Sequence, residues 1–229
     1  MKKYELTGET KEYFGTKLFR IRSLVDMEKI GVKKGELGGW VESEKNLAHC
    51  GEAWVFGEAR VSGEARVSGE AQVFGGAQVS GEARVSGEAQ VSGGAQVFGG
   101  ARVFGGAQVS GEAQVFGGAW VFGEAQVFGE AWVFGEAQVF GLARVLGGAR
   151  IEKTNEYLMI GPIGSRDAIL TAWVEGKEIM VATGCYLGEL GKFKEAVKEK
   201  HGGTQHEIEY LAALEYIKSK FGLAVPVER

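Results

Sequence analysis

From Ala53 to Ile151 the chain repeats one six-residue unit, Ala-x-Val-x-Gly-x, seventeen times without an insertion. A period of six matches neither the 3.6-residue turn of an α-helix nor the seven-residue repeat of a coiled coil, and a glycine in every unit would cost a helix about 1 kcal/mol each time. It does fit a short strand that turns Ala and Val inward and the intervening residues outward, closed by a glycine corner. That is one rung of a parallel β-solenoid.

A solenoid buries apolar surface only against its neighbouring rungs, so each end needs a closing element. Two non-repetitive segments flank the repeat, which divides the chain into an N-terminal β-rich cap (1–50), a hexapeptide-repeat β-helix (51–152) and a C-terminal α+β domain (153–229). In the cap, residues 17–22 alternate like a half-buried strand, and residues 35–40 read as a turn leading into Val41. Leu47 and His49 fall on the Ala and Val phases of the repeat, close to its register but not to its chemistry. In the last segment, residues 157–160, 168–174 and 179–182 read as strands, with a hairpin turn at 175–177. Phe193 and Val197, then Leu211, Leu214, Tyr216, Ile217 and Phe221, suit two amphipathic helices broken at 201–203.

The outward residue after each Val bears on how many units make one coil. Like residues tend to stack in adjacent coils, and from residue 56 to 140 they match in 8 of 12 comparisons made three units apart, against 6 of 13 made two apart. This favours an 18-residue, three-sided coil. The Ala-x-Val-x-Gly-x units resemble the hexapeptide repeats of left-handed parallel β-helix proteins, and that resemblance implies a triangular coil of left hand. A second resemblance rests on the flanking motifs: Tyr4-Glu5-Leu6-Thr7, Phe19 to Leu24, Gly35 to Leu47, Ile160-Gly161-Pro162-Ile163-Gly164-Ser165-Arg166, and Gly184-Cys185-Tyr186-x-Gly188. These are similar to the YdcK-like hexapeptide-repeat proteins of phages and prophages. The resemblance implies a fold and a viral setting, and no particular reaction. Those relatives often carry a second cysteine where this chain has Thr183, so two-cysteine chemistry is not expected.

A net charge of −4 argues against a protein that grips a phosphate backbone through a basic face, so nucleic acid is not an expected partner, although the charge leaves room for a locally basic site. Cys50 and Cys185 lie in different segments and form no CxxC pair. No apolar leader and no run of membrane-spanning length is seen, so a cytoplasmic protein without membrane contact is expected, in the host cell if phage-encoded. Acyltransferases and zinc-dependent carbonic anhydrases share the hexapeptide fold. They would be expected to use a His base with a protruding loop, or three converging His ligands. Here the repeat contains no His, and His49, His201 and His206 are spread over both ends. No catalytic residue, metal site or cofactor is expected, with a hexapeptide acyltransferase as the enzymatic alternative.

Nine Phe occupy outward positions in the repeat. On an 18-residue coil, Phe98, Phe116 and Phe134 form one column and Phe104, Phe122 and Phe140 another, with Trp120 and Trp132 beside them. Such a strip serves either to staple successive coils together or as a self-association face, a homotrimer being the favoured oligomer. Arg66, Arg84 and Arg102 stack on one face, where Glu64, Glu70, Glu82 and Glu88 could neutralise them. A polymer-forming or virion component is the structural alternative.

The remaining candidate is the turn at Gly161, Gly164, Ser165 and Arg166, whose glycines, hydroxyl and guanidinium are elements of a phosphate cradle, although it lacks the Gly-Lys-Ser/Thr of a P-loop. Cys185, Tyr186 and His201 could complete a pocket. The expected function is therefore that of a non-enzymatic, oligomeric solenoid that binds a small anionic, nucleotide-like ligand or a host protein.

Overall fold

The computed structural model describes residues 2–222. The repeat forms seventeen two-residue strands, from β4 (Trp54–Val55) to β20 (Arg150–Ile151). Each of β4 to β17 pairs in parallel with the strand 18 residues on, as in Gln90 with Gln108 and Val91 with Val109, so three units close one coil. Three parallel sheets make the three sides. The inward Ala and Val side chains are wholly buried and form one continuous apolar column. Every corner is a glycine in the left-handed region, where an L side chain is disfavoured.

Polarity along the stack explains both ends. Many rungs donate forward, the N–H of Gln90 to Ala107 O (2.9 Å) and that of Ser92 to Val109 O (2.9 Å) being typical. The first coil therefore leaves carbonyls to be satisfied from the cap. Lys3 Nζ donates to Ala53 O at 2.7 Å and Asn46 Nδ2 donates to Ala65 O at 2.9 Å. The last coil leaves N–H groups, which oxygens of the C-terminal domain accept. Gln138 N–H donates to Thr154 Oγ1 (3.0 Å), Arg144 N–H to Thr171 Oγ1 (3.0 Å) and Gly148 N–H to Glu175 Oε1 (3.2 Å). An orphaned buried backbone group would cost about 1–3 kcal/mol, so the two ends need opposite chemistry.

The cap is a hairpin of β1 (Tyr4–Tyr13) and β2 (Thr16–Ser23) joined to β3 (Leu37–Val41), which runs on into one solenoid sheet. Two expectations are corrected here. Residues 37–41 are a strand and not a turn. Gly38 and Gly39 sit where a Cβ would lie 2.6 Å from Ile21 and 2.7 Å from Ala59 O, so close approach of backbones, not a bend, selects glycine. Leu47 takes a valine place: it bridges Val67, while Trp40 pairs with Arg60 and Val41 with Val61. The first coil is thus two residues longer than those after it, and His49 leaves the ladder to stack on Tyr4 at 4.4 Å.

The C-terminal domain is an antiparallel sheet of β21 (Tyr157–Ile163), β22 (Ala168–Glu175), β23 (Glu178–Thr183) and β24 (Tyr186–Glu189), covered by α1 (Leu190–His201) and α2 (Gln205–Phe221). Strand β24 is an element that sequence reading missed. Tyr157, Trp173 and Ala182 join the solenoid core from this side and plug its end. In α2 the buried face is Tyr210, Ala213, Leu214 and Ile217, at spacings of three, four and seven, whereas Tyr216 is 57% exposed, contrary to its expected place among the apolar set. Tyr216 lies about 100° from Ile217 on the side away from Leu214, which puts it outside the arc that these four residues share.

The end plugs carry a pH signature. Burial pushes the Tyr157 phenol up from 10.0 to about 12, and burial together with Glu44 also raises that of Tyr4. A folded-state pKa above the unfolded value gives stability that is complete below pH ~10 and is lost as the pH rises through the folded value. Lys3 acts in the opposite sense. Burial lowers its ammonium to about 8, so its contribution is present above the ordinary lysine range and is lost as pH falls through 8. The expected thermal midpoint rises between about pH 8 and pH 10, as the Lys3 contribution comes in, and drops above that as the buried phenols ionise, with Tyr157→Phe removing about 2–3 kcal/mol of that drop. A Tyr157→Phe profile parallel to that of the parent would contradict this.

Candidate functional site

Strand β21 ends in a 3₁₀ turn, Gly164–Arg166, which Asp167 terminates in a left-handed conformation (φ 48°). This turn faces the last turn of α1 and the start of β24 across a cavity of about 220 Å³. Ser165, Arg166, Cys185, Tyr186 and His201 all line it. Five residues from three separate stretches of sequence therefore meet at one site. Gly161, at the cis Gly161–Pro162 peptide, is not among the lining residues.

Gly164 acts differently from a phosphate-cradling glycine. Its N–H donates to Glu209 Oε2 at 3.1 Å, so that donor is already engaged by a carboxylate. Its φ of 71° and its lack of a side chain matter instead because a Cβ there would collide with the phenol of Tyr210. The bare glycine lets the Tyr210 ring close the cavity. Tyr210 packs edge-on against Phe193 (5.4 Å) and lies 5.8 Å from the His201 ring, while Tyr186 leans on Phe193 at 4.8 Å. Tyr186 Oη donates to Glu189 O at 3.1 Å, which fixes the ring.

The lining therefore combines aromatic rings with cationic side chains. Among the described residues, Arg166, Lys200 and His201 face the cavity and no carboxylate does. Burial raises the phenols of Tyr186 and Tyr210. For Tyr210, Glu209 adds to the rise and Arg166 opposes it. Both phenols remain protonated at neutral pH. Thr183, 6% exposed, also lines the cavity and its Oγ1 has no hydrogen-bond partner. A buried hydroxyl without a partner calls for a group to satisfy it.

Sequence reading missed Thr183, Lys200 and Tyr210 as lining residues. Of these, Tyr210 left a signal, the i, i+3, i+4, i+7 series that it begins. Among the described residues, no three His, Cys, Asp or Glu side chains gather into a metal-holding group.

Along the solenoid, the outward aromatic residues do form columns. Phe98 stacks on Phe116 at 4.9 Å and Phe116 on Phe134 at 5.2 Å; Phe104 stacks on Phe122 at 5.0 Å and Phe122 on Phe140 at 5.5 Å. Trp120 and Trp132 meet Phe104 and Phe116 edge-on. Parallel rings at the coil spacing hide one another's faces. All six Phe are half-buried except Phe140, which is 37% exposed. Stapling of coil to coil is thus a physical role these rings have without any partner. Arg66, Arg84 and Arg102 stack in register, and Arg102 lies over Trp120 at 4.9 Å. Among the described residues none of these three guanidiniums pairs with a carboxylate, and Glu70 pairs instead with Lys29 at 3.0 Å.

No helix among the described residues is long and apolar enough to cross a membrane. A family model described as YdcK Beta solenoid repeat matches residues 77–93, close to one coil of the prism. No curated protein matches the chain at a significant level.

Proposed function

We propose that this β-solenoid protein is a binding protein, not an enzyme, and that its C-terminal cavity takes a small anion with a flat apolar body. The single observation behind this reading is the lining itself, which among the described residues holds Arg166, Lys200 and His201 without a carboxylate, together with the rings of Tyr186, Phe193 and Tyr210. Guanidinium and ammonium groups supply charge-assisted bonds to phosphate or carboxylate oxygens, and the aromatic wall supplies stacking for a ring. At about 220 Å³ the space is below the ~300 Å³ at which drug-sized pockets begin, which suits one ring with one charged substituent. The solenoid in this reading is a rigid stand for the site. Its aromatic columns, in the same proposal, let three copies associate through their ring edges. A phage or prophage product of this kind would sequester a nucleotide-like host metabolite in the host cytoplasm without converting it.

Calorimetric titration with phenyl phosphate and with adenosine monophosphate tests the reading. Binding is expected, and Arg166→Ala is expected to weaken it about ten-fold or more, since a hydrogen bond to a charged group contributes about 1.5–3 kcal/mol. Arg84→Ala, on the solenoid, serves as the control with unchanged affinity. Equal affinities for Arg166→Ala and the parent protein, or no heat with either probe, would sink the proposal. Native mass spectrometry of the same samples reads the oligomer and the bound probe together.

A further inference from the structure

The cavity has a larger neighbour. Between the solenoid and the C-terminal domain runs a cleft of about 800 Å³, and Ala168 and Gly184 belong to the walls of both. One side of the cleft is a ladder in which Gln90, Gln108 and Gln126 stack in register and lead to Arg144. Arg144 holds the shared wall: its Nη1 donates to Gly184 O at 2.6 Å and its backbone N–H donates to Thr171. The other polar lining of the cleft is acidic, from Glu88, Glu124 and Asp167.

The two spaces therefore have opposite charge. Among the described residues, Arg166, Lys200 and His201 face the inner cavity without a carboxylate, while three carboxylates against one already-bonded guanidinium face the outer cleft. Beside the wall between them sit two buried polar atoms without partners, Thr183 Oγ1 and Arg144 Nε. The side-chain amides of Gln90, Gln108 and Gln126 line the cleft in register and so repeat donors and acceptors at the ~4.8 Å strand spacing along it.

We infer that cavity and cleft are one composite site for a linear zwitterion, chemically a short peptide with a free carboxylate on an aromatic terminal residue and a basic residue upstream. The terminal ring and carboxylate occupy the inner cavity, the peptide groups run past Thr183 and the glutamine ladder, and the basic side chain reaches Glu88 and Glu124. This rests on the reading of the inner cavity as an anion site and names the class of ligand that also fills its neighbour.

Four-residue peptides separate the two claims. Acetyl-Lys-Gly-Gly-Phe with a free C-terminus is expected to bind about ten-fold tighter than acetyl-Gly-Gly-Gly-Phe, and its C-terminal amide is expected to lose binding by a similar or larger factor. In the double variant Glu88→Gln, Glu124→Gln, the advantage of the lysine peptide is expected to disappear while the affinity for acetyl-Gly-Gly-Gly-Phe stays that of the parent. Both positions are exposed and outside the core, so the fold tolerates the change. Equal affinity for the lysine and glycine peptides, or a lysine advantage that survives in the double variant, overturns the composite site. If phenyl phosphate still binds in an Arg166-dependent way, only the extension into the cleft is lost. Loss of both responses removes the anion cavity as well.

Discussion

Gly105→Ala is expected to destabilise the solenoid by about 2–4 kcal/mol, while Gly106→Ala, one residue on, changes it by less than about 0.5 kcal/mol. Gly105 lies at φ 71°, and a Cβ there would stand 3.0 Å from Gly123 O and 3.1 Å from Gly123 N. Both contacts are to backbone of the next coil, so no side chain can swing aside. The rung itself would have to move, and with it the ladder bonds on that corner. At Gly106 a Cβ would lie 3.6 Å from Gly123 O, which is ordinary contact, and the equivalent positions one coil away on either side are Glu88 and Glu124. Unfolding of the two variants in denaturant makes the comparison. Midpoints that fall together would mean that glycine at the corner is not selected by coil-to-coil contact.

Trp173→Ala is expected to cost about 3–5 kcal/mol and, in addition, to change how the protein behaves in concentrated solution. Trp173 is wholly buried in β22, joins the solenoid core from the C-terminal side, and donates from Nε1 to Glu175 Oε2 at 3.3 Å. The same carboxylate accepts the N–H of Gly148 through its other oxygen, so one substitution loosens both the plug and a rung cap. An open terminal coil presents apolar side chains and unpaired backbone groups, the surface on which one solenoid can dock end-on to another. Light scattering is expected to show concentration-dependent growth for Trp173→Ala and none for Trp173→Phe, which loses the indole N–H but keeps an aromatic plug in the end of the core. A monodisperse Trp173→Ala protein with the parental melting temperature would show that the rest of the domain closes the end unaided.

Both predictions follow from parts of the chain that differ in how plainly they can be read. The glycine corners, the inward Ala and Val and the three-sided coil all recur in sequence at a fixed step, because each rung meets the rung 18 residues away in the same way. Where that step changes, reading by period misleads. The first coil is longer, so Leu47 sits in a valine place that counting assigns to alanine. The glycines at 38 and 39 look like a turn and are instead points of close approach within a strand.

The cavity lies at the other extreme. Ser165, Arg166, Cys185, Tyr186 and His201 could be singled out by residue type, yet nothing in their order shows that they face one space. Lys200 carries no signal at all, and Thr183 stands out only as the place where similar sequences often carry a cysteine. Gly164 reads as an anion-binding glycine, whereas its N–H is held by a carboxylate 45 residues away and its missing side chain makes room for Tyr210.

The sequence by itself determined the prism: its period, its dry Ala and Val core, its corners and the need for a closing element at each end. The tertiary structure alone decided which oxygens and nitrogens cap those ends, which rings cover one another, and which charges line the cavity and which the cleft. The reason lies in the range of the interactions. Repeated contacts between neighbouring rungs are written into every unit and reinforce one another, so periodicity reveals them. A site assembled once, from a 3₁₀ turn, a strand start and two helices, depends on single non-local contacts that no repetition in the chain records.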